Sequence, residues 1–248
     1  MMRAPALSPN TGEYGVTLML DSSLIADFPL FAGLDPEALD DILAPAHARH
    51  YAKGTPVFSQ NEKAHSFFLL LHGRLRVTQV TPHGEQIVVR FVSPGDLFGV
   101  AMALGRDSYP GTAAAIVDSL ALLWPSAAWP ELVRRHPVLA SNTMRMIGGR
   151  LQEAHRRLRE ISTEDAERRV AHAVLKLADE AGQVSAAGML IDFPLSRQDI
   201  AEMTATTLHT VSRIISAWEA AGVIEGGRQK IAIRDRARLQ TIANGQEG

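Results

Sequence analysis

The 248 residues suffice for one large domain or two ordinary ones, and 46% hydrophobic against 21% charged side chains excludes wholesale disorder. Twenty-five Lys and Arg against 27 Asp and Glu give a formal charge of -2, which excludes a uniformly basic coat but not a local basic face. Cysteine is absent, which removes disulfides, thiolate chemistry, Cys-ligated zinc and an all-cysteine iron–sulfur cluster; no apolar run approaches the ~20 residues of a membrane span.

Residues 1–23 read as a loose arm, with Pro5, Pro9, Gly12 and Gly15 and no signal-peptide core. A cytoplasmic protein with no membrane partner is expected. Short apolar pieces from Leu24 to Leu43 predict short helices. From Tyr51 to about Trp129 runs of Val, Ile, Leu and Phe are cut by turns, among them His72-Gly73, His83-Gly84 and Pro94-Gly95-Asp96. Strands are predicted over 67–71, 75–80 and 86–92, and their spacing predicts a small β-sandwich or barrel within residues 24–136.

Pro137 suits the first turn of a long helix, placed at 137–161. Ala140, Met144, Ile147, Leu151, Ala154, Leu158 and Ile161 alternate spacings of four and three, a heptad seam with charged flanks that include Arg150, Glu153, Arg156 and Arg157. Such a helix pairs with a twin or packs on its own barrel. Gly148-Gly149 weakens it and permits close approach of a backbone or a ligand. Residues 162–248 form a second unit. Ser162-Thr163-Glu164-Asp165 predicts an N-cap region, Gly182 to Gly188 a flexible connection, and Ile191 to Leu195 a short edge strand.

The strongest local signal follows. Ser196 and Asp199 resemble a capping box, and a helix to about Met203 is followed by the polar break Thr204-Ala205-Thr206. Thr207 caps a second helix with Val211, Ile214, Ile215 and Trp218 inward. Two short helices and a tight turn predict a helix-turn-helix, and Ile224 to Arg234 a two-stranded basic wing. The chemistry is reading of the major groove. Leu208, His209, Ser212 and Arg213 are the candidate base contacts, with Arg213 able to donate bidentately to guanine. Ser196, Arg197, Thr207, Thr210 and Arg228 are the candidate phosphate contacts. The bland alternative is a helical packing unit without DNA. No HExxH, GxSxG, Walker or dinucleotide fingerprint is present, so an enzyme is not expected.

From about Leu30 to Ile242 the chain resembles the CRP/FNR superfamily of bacterial transcription regulators. The resemblance rests on Leu195-Ser-Arg-Gln-Asp-Ile-Ala-Glu-Met, Thr210-Val-Ser-Arg-Ile-Ile and Gly222-Val-Ile, and on Gly73-Arg-Leu-Arg-Val, His83-Gly84-Glu85 and Pro94-Gly95-Asp96-Leu97-Phe98-Gly99. It implies an α+β protein: an effector-type β-roll (double-stranded β-helix or jelly roll), a long dimerisation helix and a C-terminal winged helix-turn-helix. It also implies a homodimer on a palindromic promoter site, with double-stranded DNA and RNA polymerase as partners and Met144, Ile147, Leu151, Ala154, Leu158 and Ile161 in the dimer seam.

Departures from the family pattern bear on the effector. Where cyclic-AMP binders carry Gly-Glu-Leu and Arg-Ser, this chain has Gly99-Val100-Ala101 and Gly111-Thr112; at the adenine-reading positions it has Ala154 and His155. A buried cyclic phosphate needs a cation or strong donors, so cyclic AMP is not expected. Met102-Ala-Leu-Gly, Tyr109-Pro110 and Ala113-Ala-Ala resemble the denitrification and nitric-oxide-responsive branch, some of whose members bind haem. Haem would need His, Met or a terminal nitrogen, and His50, His65, His72, His83 and His155 are the candidates. The alternatives are another apolar ligand, none, or an effector-binding scaffold with weakened DNA binding. The predicted pocket comprises Phe98, Gly99, Val100, Met102, Tyr109, Pro110, Gly111, Thr112 and His155. Leu208-His209 stands where many members have Arg or Val before Glu. Ala205 replaces the usual turn glycine, so a left-handed dihedral there would be strained or the turn re-formed.

Overall fold

In the computed structural model, residues 22–186 and 188–245 are described. Most of the expected N-terminal arm therefore lies outside the described residues. A 3-10 turn at Pro29–Phe31 and helix α1 (Pro36–Leu43) lead into eight strands: β1 (His47–Tyr51), β2 (Pro56–Phe58), β3 (Ser66–His72), β4 (Leu75–Val80), β5 (Gln86–Val92), β6 (Leu97–Phe98), β7 (Thr112–Ala115) and β8 (Ser119–Pro125). They form two four-stranded sheets, ordered β1-β8-β3-β6 and β2-β7-β4-β5.

β3 shows why its sequence is apolar throughout. Phe68 and Leu70 face the interior between the sheets, with Phe58, Leu75, Val92 and Phe98. Phe67 and Leu69 face the other way, against α1, Trp124 and Leu139. Period-two alternation with both faces covered gives a continuous apolar run. β3 and β4, adjacent in sequence, do not pair; each belongs to a different sheet. The chain crosses at Gly73, where φ is +92° and a Cβ would sit 2.6 Å from the Asp118 carbonyl oxygen, so glycine is required.

Helix α2 (Trp129–Arg135) precedes the long α3 (Pro137–Thr163), with Pro137 in its first turn as expected. Asn142 anchors α3 to the N-terminal turn by donating to the Leu30 and Ala32 carbonyls, both at 2.9 Å. Ser162 and Thr163 do not start the next helix. Their hydroxyls donate back to the Leu158 and Arg159 carbonyls in the last turn of α3, and Asp165 caps α4 (Ala166–Ala181) by accepting from Arg168 N.

The expected flexible connection after α4 is instead ordered as strand β9 (Gly182–Ser185), paired with β10 (Gly188–Ile191). The expected strand at 191–195 ends at Ile191. Phe193 and Leu195 are buried in the apolar cluster around α4 rather than laddered. Helices α5 (Arg197–Thr204) and α6 (Leu208–Ala220) follow, then β11 (Ile224–Gly227), β12 (Lys230–Ile233) and α7 (Arg236–Ala243). The wing is wider than two strands: the sheet order is β11-β12-β10-β9.

The roll and the C-terminal unit share one apolar cluster. Val88 and Phe91 of β5 pack with Val170, Phe193, Ile200 and Trp218. Phe91 lies three positions after Val88, which simple alternation would place on opposite faces. A bulge resets it: Val77 pairs with Arg90 and Thr78 with Val88, leaving Val89 without an opposite residue.

Candidate DNA interface and effector cleft

The reader is assembled by caps. Ser196 Oγ accepts from Asp199 N at 3.0 Å while Asp199 Oδ2 accepts from Ser196 N at 3.0 Å, the expected box with Asp at its third position. Asp199 is buried and also takes an ion pair from Arg76 of β4, so one carboxylate starts α5 and ties it to the roll. Arg169 of α4 donates to the Thr204 carbonyl at 2.8 Å and the Ala205 carbonyl at 3.4 Å, covering the end of α5. Ala205 takes φ 50° and ψ 50°. The turn is therefore not re-formed; the left-handed geometry is kept without glycine. Ala205→Gly is expected to stabilise the protein by about 1 kcal/mol, read from urea unfolding, because the residue is exposed and only the dihedral changes.

Thr207 caps α6 by accepting from Thr210 N at 3.1 Å. Val211, Ile214, Ile215 and Trp218 are buried, and Trp218 donates to Glu167 at 2.9 Å. The opposite face presents exposed Leu208, His209 and Arg213, with Ser212 half-buried. Arg213 makes no hydrogen bond or ion pair with the described residues. Arg228, at the β11–β12 turn, is likewise exposed and without such a partner among them, as is Lys230 beside it. Lys230 belongs with the candidate contacts; its signal was its place in the basic wing sequence.

Two of the expected phosphate contacts are occupied within the protein. The Ser196 hydroxyl is used in the capping box, and Arg197 pairs with Glu219 of α6 at 3.3 Å, bridging the two reader helices. Thr207 and Thr210 stand at the N-terminus of α6 with their hydroxyls 2.9 Å apart, where the helix dipole favours a phosphate although the Thr210 amide is used by the cap.

On α3, Met144, Leu151 and Leu158 are 72%, 56% and 63% exposed, and Ile161 and Ala154 are also exposed. Ile147 is half-buried. Seven-residue spacing puts Met144, Leu151 and Leu158 on one stripe, and a single copy leaves that stripe open.

Between the roll, α3 and α4 lies an open cleft of about 1450 Å³. Phe98, Gly99, Val100, Tyr109, Pro110 and Gly111 line it, as the sequence suggests. Met102, Thr112 and His155 do not. Met102 sits in an exposed 3-10 turn; the Thr112 hydroxyl accepts from Gln60 N at 2.9 Å; His155 is on the exposed side of α3. Gly149 lines the cleft and Gly148 does not.

Charged side chains missing from the expected pocket complete it. Arg90 pairs with Asp96 at 3.2 Å and Arg150 reaches the same carboxylate at 3.6 Å. Arg157 donates to the Val89 carbonyl at 2.8 Å, the bulged residue of β5. Burial pulls the Arg90 guanidinium below its ordinary value, and burial with the adjacent Arg90 charge brings Arg150 down to about 10. Arg150 and Arg157 are seven apart on α3, a spacing that put both on one face.

A haem group does not fit these walls through an imidazole. Among the described residues no histidine lines the cleft, and His50, His65, His72, His83 and His155 are all exposed. The N-terminal nitrogen lies outside the described residues. Among the described residues no group of three or more His, Asp or Glu could hold a metal ion.

The cyclic nucleotide-binding domain family matches residues 48–136, and the Crp-like helix-turn-helix domain family matches 168–242. The cyclic AMP receptor protein of Thermus thermophilus is 31% identical over 217 residues, covering 88% of this chain and 97% of the relative. This chain belongs to the CRP/FNR family of transcription regulators. The transcriptional activator FnrA of Stutzerimonas stutzeri is 26% identical over 211 residues, 85% of each chain. The solved structure of FixK2 from Bradyrhizobium japonicum superposes with a TM-score of 0.70 at 26% identity, covering 79% of this chain and 96% of that one. The relatives span the family without singling out its denitrification branch. As in the family, a β-rich nucleotide-binding-type domain, a long helix and a helix-turn-helix follow in order. Among the described residues no helix is long and apolar enough to cross a membrane.

Proposed function

We propose that this family member acts as a homodimer that reads a palindromic promoter site, is not an enzyme, and is set by an effector other than cyclic AMP. The observation that carries the DNA reading is the exposed face of α6, where Arg213 has no hydrogen-bond or ion-pair partner among the described residues and stands beside the basic wing turn of Arg228 and Lys230. A capped helix N-terminus, a free guanidinium and a flanking basic hairpin are what base reading and phosphate positioning require. RNA polymerase is the partner that a promoter-bound regulator would address.

The exposed stripe of α3 supports the homodimer. Ala154, Leu158 and Ile161 border the effector cleft as well as the seam, so a twin helix would close the cleft's open side. An effector held there touches roll and seam together and biases the separation of the two readers.

Cyclic AMP is disfavoured by the residues at the phosphate-gripping positions. Gly111 has no side chain and the Thr112 hydroxyl is turned to Gln60. Haem as the effector has no support from an imidazole among the described residues of the cleft; Met146 and Met203 are the side chains there that could ligate it.

Arg213→Ala tests the DNA reading. It is expected to cost about 1–3 kcal/mol of specific affinity, measured by fluorescence anisotropy on operator duplex, with the dimer intact. An equal loss on random duplex would reduce Arg213 to a phosphate contact.

A further inference from the structure

The charges lining the cleft do not balance. Lys176 is held by Glu153 and by Glu180, the latter at 3.6 Å. Asp96 is then the carboxylate left for Arg90 and Arg150, and Arg157 has only a backbone carbonyl. Five cations, Arg90, Arg106, Arg150, Arg157 and Lys176, thus face three carboxylates, Asp96, Glu153 and Glu180, around a half-enclosed space. An uncompensated cation taken out of water is costly, and an arriving oxyanion relieves it with charge-assisted hydrogen bonds. The adjoining wall is apolar: Phe58 and Tyr109 stack with centroids 3.8 Å apart, and Phe98, Val77, Val100 and Met146 continue the surface.

We infer that the cleft binds a small amphipathic monoanion, its oxyanion head on Arg90, Arg150 and Arg157 and its aromatic body against Phe98 and Tyr109. The head group thereby sits on residues of β5 and α3, away from the Gly111-Thr112 turn. This rests on reading the cleft as the effector site.

The probe is 8-anilinonaphthalene-1-sulfonate, an aromatic monoanion, set against N-phenyl-1-naphthylamine, the same aromatic body without the charge. Fluorescence titration of the full-length dimer is expected to give one sulfonate site per chain, bound at least ten-fold more tightly than the neutral compound. Arg150→Gln is expected to remove at least ten-fold of sulfonate affinity and leave the neutral compound unchanged. Arg90 still pairs with Asp96 and donates to the Leu97 carbonyl in that variant, and an unchanged urea midpoint checks that the fold is retained. Arg157→Gln is the independent second variant. Gly149→Leu, whose side chain grows into open space within the cleft, is expected to weaken both compounds. Equal affinity for the two compounds, or sulfonate binding indifferent to both arginine variants, would overturn the inference. Operator affinity measured with and without the sulfonate separates the two readings. Charge-selective binding that leaves DNA affinity unchanged would support the anion site and remove its role as effector site.

Discussion

Leu151→Glu is expected to convert the proposed dimer to a monomer and to abolish tight operator binding. Leu151 is more than half exposed in one copy, in the middle of a stripe that runs from Met144 to Leu158. Across a parallel seam the substitution sets two carboxylates against each other in an apolar interface. Breaking a seam with uncompensated buried charge costs about 3–5 kcal/mol, more than a hundred-fold in the association constant. A monomer engages one half-site, so the gain from linking two readers disappears. Sedimentation equilibrium reads the mass and anisotropy reads the operator. A mass unchanged from that of the parent protein would remove α3 from the interface. Leu151 is the better site than Leu158, which also borders the cleft.

Phe91→Ala is expected to destabilise the protein by about 3–5 kcal/mol. Its ring is buried, 4.9 Å from Phe193, inside the cluster that holds α4, α5 and α6 together. The cavity cannot collapse easily, because one wall belongs to the roll and the other to the reader. Nearby, Arg74 lies over the same Phe193 ring at 4.8 Å, and Gln86 donates to Glu202 at 3.1 Å. Urea unfolding checks the figure; a loss below about 1 kcal/mol would mean that roll and reader do not pack through Phe91 in solution.

The reader was legible because its signals are local. Ser196 with Asp199, and Thr207 before an apolar 3.6-residue pattern, locate two helix starts within a residue. Pro137 and the seam likewise announce α3. What escaped depends on partners distant in sequence. Nothing near Gly182 says that it will pair with Ile191, and a polar glycine-bounded stretch has the texture of a loop. The two strands flanking Gly73 join different sheets, a choice made by pairing rather than by either strand. The cleft was located but its chemistry was not. Arg150 and Arg157 look like solvated flanks of a coiled coil until β5, with its bulge at Val89, is brought against them. Arg197 shows the converse: a basic residue at a plausible phosphate position that is held by Glu219.

Selection from a pool of random-sequence duplex, followed by anisotropy across salt concentrations, tests the central claim most directly. The account predicts a palindrome whose half-site centres lie about one helical turn apart, roughly 34–36 Å, bound by a dimer well above unselected duplex at every salt concentration. Selected and random duplex bound equally, with the same salt slope, would contradict it.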